Sequence, residues 1–161
     1  MGDGGFDALY RRHAPAVFRR ARRLLGSESD AHEIVQEVFL SLLERPEQYG
    51  ARSALTTFLY ASTTHACLNR LRNQRTRARL LTEHTQEGPP ETSEWTQEEV
   101  LLLRRALAEL PDETARALVY YCVDGMSHEE IARLLGCSRR HVGDLLARAN
   151  AWGKASEEDA C

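Results

Sequence analysis

Cysteine is scarce and poorly placed: Cys67, Cys122, Cys137 and Cys161 stand far apart, form no CxxC pair and have no histidine at metal-ligand spacing. This disfavours a structural zinc site or a disulfide scaffold, and reduced thiols, buried or free, are expected. No apolar run reaches the roughly 18 residues that a membrane-spanning helix needs. The opening MGDGGFDALYRRHAP has no apolar signal-peptide core, so a soluble, cytoplasmic protein is expected. The six histidines, at positions 13, 32, 65, 84, 128 and 141, are scattered. Gly-rich phosphate loops, paired acid-base carboxylates and nucleophile elbows are missing, so no enzyme chemistry, metal or cofactor is expected. No segment reads as a strand bounded by turn signals, and no internal repeat is found. An all-α fold follows.

What is present is a segregated charge. The 161 residues carry a formal net charge of -3, which hides a basic first half. Residues 1–82 hold 13 Arg against 8 Asp and Glu; residues 83–99 hold six Glu and no Lys or Arg. Residues 100–152 balance at seven of each sign, and residues 153–161 carry one Lys and three acids. The connector EHTQEGPPETSE lacks large apolar residues and contains Gly88, Pro89 and Pro90, which oppose a continuous helix. The expected organisation is a helical domain over 1–82, a linker over 83–99, a second domain over 100–152 and an acidic tail over 153–161.

Helical periodicity runs through the first domain. Phe6, Leu9, Ala14, Val17, Phe18, Ala21 and Leu25 recur at intervals of three to five, Gly26 supplies a stop, and Pro15 is expected to kink or split that helix. The next helix opens with Ser27-x-x-Asp30 and must end before Pro46. Ile34, Val35, Val38, Phe39, Leu42 and Leu43 are expected on its buried face, with His32, Glu33, Gln36, Glu37 and Ser41 opposite. A third helix is expected to start near Ser53 or Ala54.

That third helix carries NRLRNQRTRAR, residues 69–79, which holds Arg70, Arg72, Arg75, Arg77 and Arg79 and no acid. Arg72, Arg75 and Arg79 lie within about 60° on a helix, with Arg70 and Arg77 on a separate line. A merely solvated face normally interleaves Glu with Arg to gain i,i+4 pairs. Planar guanidinium groups without local partners point to phosphate oxygens.

In the second domain, DETARALVYYCVDG reads as a helix stopping at Gly125. Ser127-x-x-Glu130 caps HEEIARLL, Gly136 ends it, and Ser138 caps RRHVGDLLARANAW. Two helices joined by a short Gly-containing turn form a helix-turn-helix pattern, whose last helix enters the DNA major groove. Val142, Leu145, Leu146 and Ala149 are expected to pack inward, leaving Arg139, Arg140, Gly143, Asp144 and Ala147 outward. Asp144 is four residues from both Arg140 and Arg148, close enough for helical ion pairs, and Gly143 weakens that helix by about 1 kcal/mol relative to Ala.

On these residues the chain resembles bacterial RNA polymerase sigma factors. SHEEIARLLGCSRRHVGDLLARA resembles their C-terminal promoter-binding region, and LPDETARALVYYCVDGMS is similar to the segment leading into it. SDAHEIVQEVFLSLLERPEQY resembles the helix that docks on the polymerase clamp, and FLYASTTHACLNRLRNQRTR the element that opens the -10 sequence. Order and size resemble the extracytoplasmic-function (ECF) class of the sigma-70 family.

The resemblance implies partners and roles. Asp30, Glu33, Gln36 and Glu37 would bind core polymerase. Phe58, Asn69, Arg70, Arg72, Arg75 and Arg79 would meet -10 DNA, a ring stacked on a base being worth roughly 1–3 kcal/mol; Phe58 stands where the family often has Trp. Ser138, Arg139, Arg140, His141, Asp144 and Arg148 would face -35 DNA, with GDLL after Val142 departing from the family's usual basic or small polar residues. Promoter DNA and core polymerase are the implied partners, and an anti-sigma factor is compatible with them. Two alternatives stay open at this stage: a helix-turn-helix regulator acting without polymerase, and a degenerate sigma-like module that only binds proteins.

Overall fold

The structure is a computed structural model that describes residues 3–45, 52–81 and 94–160. Among the described residues there are seven α-helices and no strand: α1 Asp3–Leu25, α2 Glu28–Glu44, α3 Arg52–Leu81, α4 Gln97–Glu109, α5 Asp112–Leu118, α6 His128–Leu135 and α7 Arg139–Ala160. The chain forms two compact units. One holds α1, α2 and α3 through Arg70; the other holds α3 from Leu71 and everything from Trp95. The expected linker from 83 lies outside the described residues up to 93, and its last residues, Gln97 to Glu99, form the first turn of α4.

In the first unit α1 packs on α2. α1 buries Val17, Ala21, Leu24 and Leu25, and α2 buries Ala31, Ile34, Val35, Val38, Phe39 and Leu42. Phe6 and Tyr10 set their rings edge-on to Phe39, at 6.3 and 4.8 Å between centroids. Pro15 does not split α1. It sits on the exposed side, where the Arg11 carbonyl deprived of a donor can be solvated. Gly26, at φ 71°, turns the chain, and the Ser27 hydroxyl accepts from the Asp30 N–H at 3.2 Å to start α2. Leu43, expected in the core, is 51% exposed, as is Leu40 at 56%.

The inner side of α3 mixes apolar residues with small hydroxyl residues: Leu55, Leu59, Thr63, Thr64, Ala66, Cys67 and Leu68 are buried. The buried hydroxyls donate back along the helix, Thr63 to the Leu59 carbonyl at 2.6 Å and Thr64 to that of Tyr60 at 2.9 Å. Thr64 also accepts from Arg20 of α1, whose guanidinium lies 3.7 Å above the Tyr60 ring. Burial pushes the Cys67 thiol up to about 12, with Glu37 adding to the rise and Arg20 and Arg70 opposing it. Cys67 is therefore an inert packing residue.

The second unit is built on capped helices. Thr96 and Glu99 form a reciprocal capping box at α4, and Ser127 and Glu130 form one at α6. α5 does not continue as one regular helix; it widens into a π-helical turn, Val119–Val123, which buries Val119, Tyr120 and Val123. Gly136 at φ 66° ends α6, and Ser138 starts α7 by accepting from the His141 N–H at 3.1 Å. α7 buries Val142, Leu145 and Ala149 against α5 and α6, while Leu146 is half-buried. The expected acidic tail is helical to Ala160, held by Trp152 donating to Glu109 at 2.8 Å and by a buried Ser156. No helix among the described residues is long and apolar enough to cross a membrane.

Candidate nucleic-acid and protein interfaces

α2 presents one continuous open row. Positions 33, 36, 37, 40 and 43 recur at intervals of three and four, so they share a face. Glu33, Gln36 and Glu37 are exposed there, as expected, and Leu40 and Leu43 extend the row with apolar surface. Sequence reasoning missed both leucines: it placed Leu43 in the buried arc of α2, one position too wide, and assigned Leu40 to neither face. Asp30 is half-buried at the row's start. His32 lies off it, its ring 4.6 Å from that of Phe18.

The arginines of α3 are not without carboxylate partners. Within the first unit Arg70 donates to Glu33 at 2.5 Å and stands 3.5 Å from Asp30. Burial works against its charge, but the Glu33 hydrogen bond and the charges of Glu33, Asp30 and Glu37 prevail, and its pKa is raised. Within the second unit Arg72 donates to Asp112 at 3.3 Å and to the Leu110 carbonyl at 3.4 Å, and Arg75 pairs with Glu109. The absence of nearby acids in sequence excluded only local pairs; folding brings carboxylates from 37 and 40 residues away.

The remaining expected residues of this group are placed variously. Asn69 is exposed, with its amide 3.3 Å from the His65 ring nitrogen. Phe58 is half-buried. The side chain of Arg79 lies outside the described residues.

Of the outward set expected on α7, Arg139, Arg140, Asp144 and Ala147 are exposed and Gly143 is half-buried; Arg148 is exposed as well. Asp144 forms no ion pair with Arg140 or Arg148 among the described residues. Ser138 is engaged as the helix cap, and His141 points its Nε2 at Glu113 of α5, 3.1 Å away. Both therefore help fix the helix-turn-helix geometry. The Glu130 carboxyl is held below its ordinary range by the Ser127 backbone N–H and hydroxyl. Among the described residues no group of three or more His, Cys, Asp or Glu converges on a metal-sized site.

With this geometry in place, the comparisons with known proteins are specific. Residues 9–77 match the family described as Sigma-70 region 2, and residues 100–151 match Sigma-70, region 4. The ECF RNA polymerase sigma factor SigM of Mycobacterium tuberculosis is 30% identical over 146 residues, covering 91% of this chain and 74% of that protein. SigL of the same organism is 34% identical over 147 residues, covering 86% and 81%. Among solved structures, the sigma factor RpoE of Bartonella quintana, in complex with the anti-sigma factor NepR, superposes with TM-score 0.56 at 16% identity, over 94% of this chain and 95% of that one. CnrH, in complex with the cytosolic domain of CnrY, gives 0.54 at 20% identity, over 99% and 92%. These two structures share the fold.

Proposed function

We propose a division of labour for a chain that belongs to the sigma-70 family of RNA polymerase sigma factors, in its ECF class. The protein binds core RNA polymerase and directs it to promoters, which it helps to open. The first domain, 1–82, docks on core polymerase through the α2 row of Asp30, Glu33, Gln36 and Glu37, and Leu40 and Leu43 add apolar contact area. Helix α3 captures the opened -10 strand, with Phe58 stacking on a base, Asn69 close by, and Arg72, Arg75 and Arg79 on phosphates.

The second domain, 100–152, reads -35 duplex DNA with α7, Arg139, Arg140 and Arg148 meeting backbone while Ser138 and His141 hold the turn. Asp144 faces the same DNA and opposes phosphate, which keeps -35 affinity modest. Residues 83–99 link the two. The chain itself performs no reaction: polymerase supplies the catalysis, and the work is done in the cytoplasm. An anti-sigma factor is a fitting antagonist, as NepR is the partner of RpoE in the solved complex.

The observation that carries this reading is the presence, on one chain and in order, of an open α2 row and a capped helix-turn-helix with open arginines. Reconstitution tests it: the full chain with core polymerase should yield specific run-off transcripts from a subset of genomic fragments, and the chain should co-purify with core. Glu37→Arg, which leaves buried Val38 and Phe39 untouched, should abolish both while the domain stays folded. Binding to duplex promoters with equal affinity in the absence of polymerase would favour an independent regulator instead.

A further inference from the structure

Arg70 belongs, by sequence, with the other arginines of α3, yet its surroundings differ from theirs. A helix advances 100° per residue, so Arg70 and Arg72 point about 160° apart. Arg70 reaches α2, where its Nη1 is 2.5 Å from Glu33 Oε2 and 3.5 Å from Asp30 Oδ1. Asp30, Glu33 and Glu37 follow at intervals of three and four along that helix and form one acidic strip. Glu37 lies close enough to contribute to the field that stabilises the guanidinium.

The base of Arg70 is rigid. Cys67 and Leu68 are wholly buried and Leu71 is 3% exposed, so the α3 backbone at this point cannot shift without disturbing packed side chains. The Arg70 side chain itself is 26% exposed, against 54% for Glu33 and 23% for Asp30. Glu33 is thus the open end of a fixed three-residue arrangement. One of its oxygens is engaged by Arg70, and the other remains available to a partner.

We propose that Arg70 is a positioning residue for the polymerase-docking carboxylates of α2, rather than one of the arginines that grip promoter DNA. An exposed glutamate samples several rotamers, and freezing it on binding costs conformational entropy. The bond to Arg70 freezes Glu33 beforehand, so docking meets an ordered carboxylate. Service on a phosphate would instead strip Glu33 of its partner, at the moment when α2 is engaged with polymerase. This inference rests on the docking role of α2 given above.

The test uses the full chain, with two readouts: affinity for core polymerase, and the salt dependence of promoter binding by the assembled holoenzyme. Arg70→Gln should weaken core binding about fivefold, equivalent to about 1 kcal/mol, with helicity and melting temperature retained. Arg70→Lys should restore most of that affinity, because charge and reach survive. In a Glu33→Gln background, Arg70→Gln should add little, since the group it positions is already altered. The salt slope of the promoter complex should stay at the wild-type value throughout.

Unchanged or tighter core binding by Arg70→Gln overturns the assignment. So does any measurable flattening of the slope, the signature of a phosphate no longer neutralised by Arg70. Should Arg70→Gln unfold, the residue is structural and the assignment fails, a conclusion that Arg70→Lys checks independently. A wild-type chain unable to bind core polymerase sinks the docking role of α2 and this inference together. Wild-type binding with indistinguishable Arg70 variants sinks this inference alone.

Discussion

The arginines of α3 and those of α7 are two cationic sets with different starting conditions. Arg70, Arg72 and Arg75 are each engaged by a carboxylate in the folded chain. Arg139, Arg140 and Arg148 stand exposed, with no ion pair among the described residues. The difference bears directly on how each set can use a phosphate. An open arginine displaces condensed cations from DNA as soon as it meets a phosphate, whereas an engaged one must exchange a carboxylate for the phosphate. The second process gains less and depends less on salt. Partly exposed pairs such as Arg72 with Asp112 are weak, on the order of 0–1 kcal/mol, so exchange is feasible.

Salt titration breaks or sharpens this comparison most strongly at α7. Replacing Arg139, Arg140 and Arg148 with Gln should flatten the salt slope of holoenzyme binding to -35 duplex by about 0.9 for each phosphate left without its arginine. Replacing Arg72 and Arg75 with Gln should weaken -10 complexes as well, but change the slope by well under about 0.7 per residue. Equal slope changes for the two sets would show that the carboxylate partners have no influence on DNA binding. The reciprocal variant, Asp112→Asn, should modestly tighten promoter binding and steepen the slope, by relieving Arg72.

Smaller effects lie within the second unit. Gly143 faces open space, with no atom within 4 Å of an added Cβ, and sits inside α7. Gly143→Ala should therefore stabilise the unit by about 1 kcal/mol, read as a rise in thermal midpoint. The smallest effect is a pH dependence at the start of α6. The Glu130 carboxyl is lowered from its ordinary 4.5 by the Ser127 backbone and hydroxyl. A depressed carboxyl stabilises the fold above its unfolded pKa, and that contribution disappears as pH falls through the lower folded value. Glu130→Gln should melt slightly below wild type at about pH 7, and the gap should close as pH drops below about 4.

Much of the fold was legible because it is written locally. Ser27, Ser127 and Ser138 marked helix starts, Gly26 and Gly136 marked stops, and the inward face of α7 followed from a 3.6-residue period. What could not be read required the third dimension. The acids that engage Arg70, Arg72 and Arg75 come from other helices, so a stretch empty of local carboxylates looked unneutralised. Leu43 is apolar and in phase with the core, yet the packed arc of α2 ends at Leu42. The π-helical turn at Val119–Val123 carries no composition signal, since VYYCV suits a regular helix equally well. Of the site, the polar row of α2 and the outer arginines of α7 were visible in the pattern, while the carboxylate partners of the α3 arginines and the two exposed leucines were not.

Promoter melting is the function that needs both surfaces at once. A promoter fragment carrying 2-aminopurine in its -10 region should brighten only when this chain and core RNA polymerase are both present, and Glu37→Arg should suppress the signal without unfolding the protein. Opening by the chain alone, or full opening with Glu37→Arg, would contradict the account.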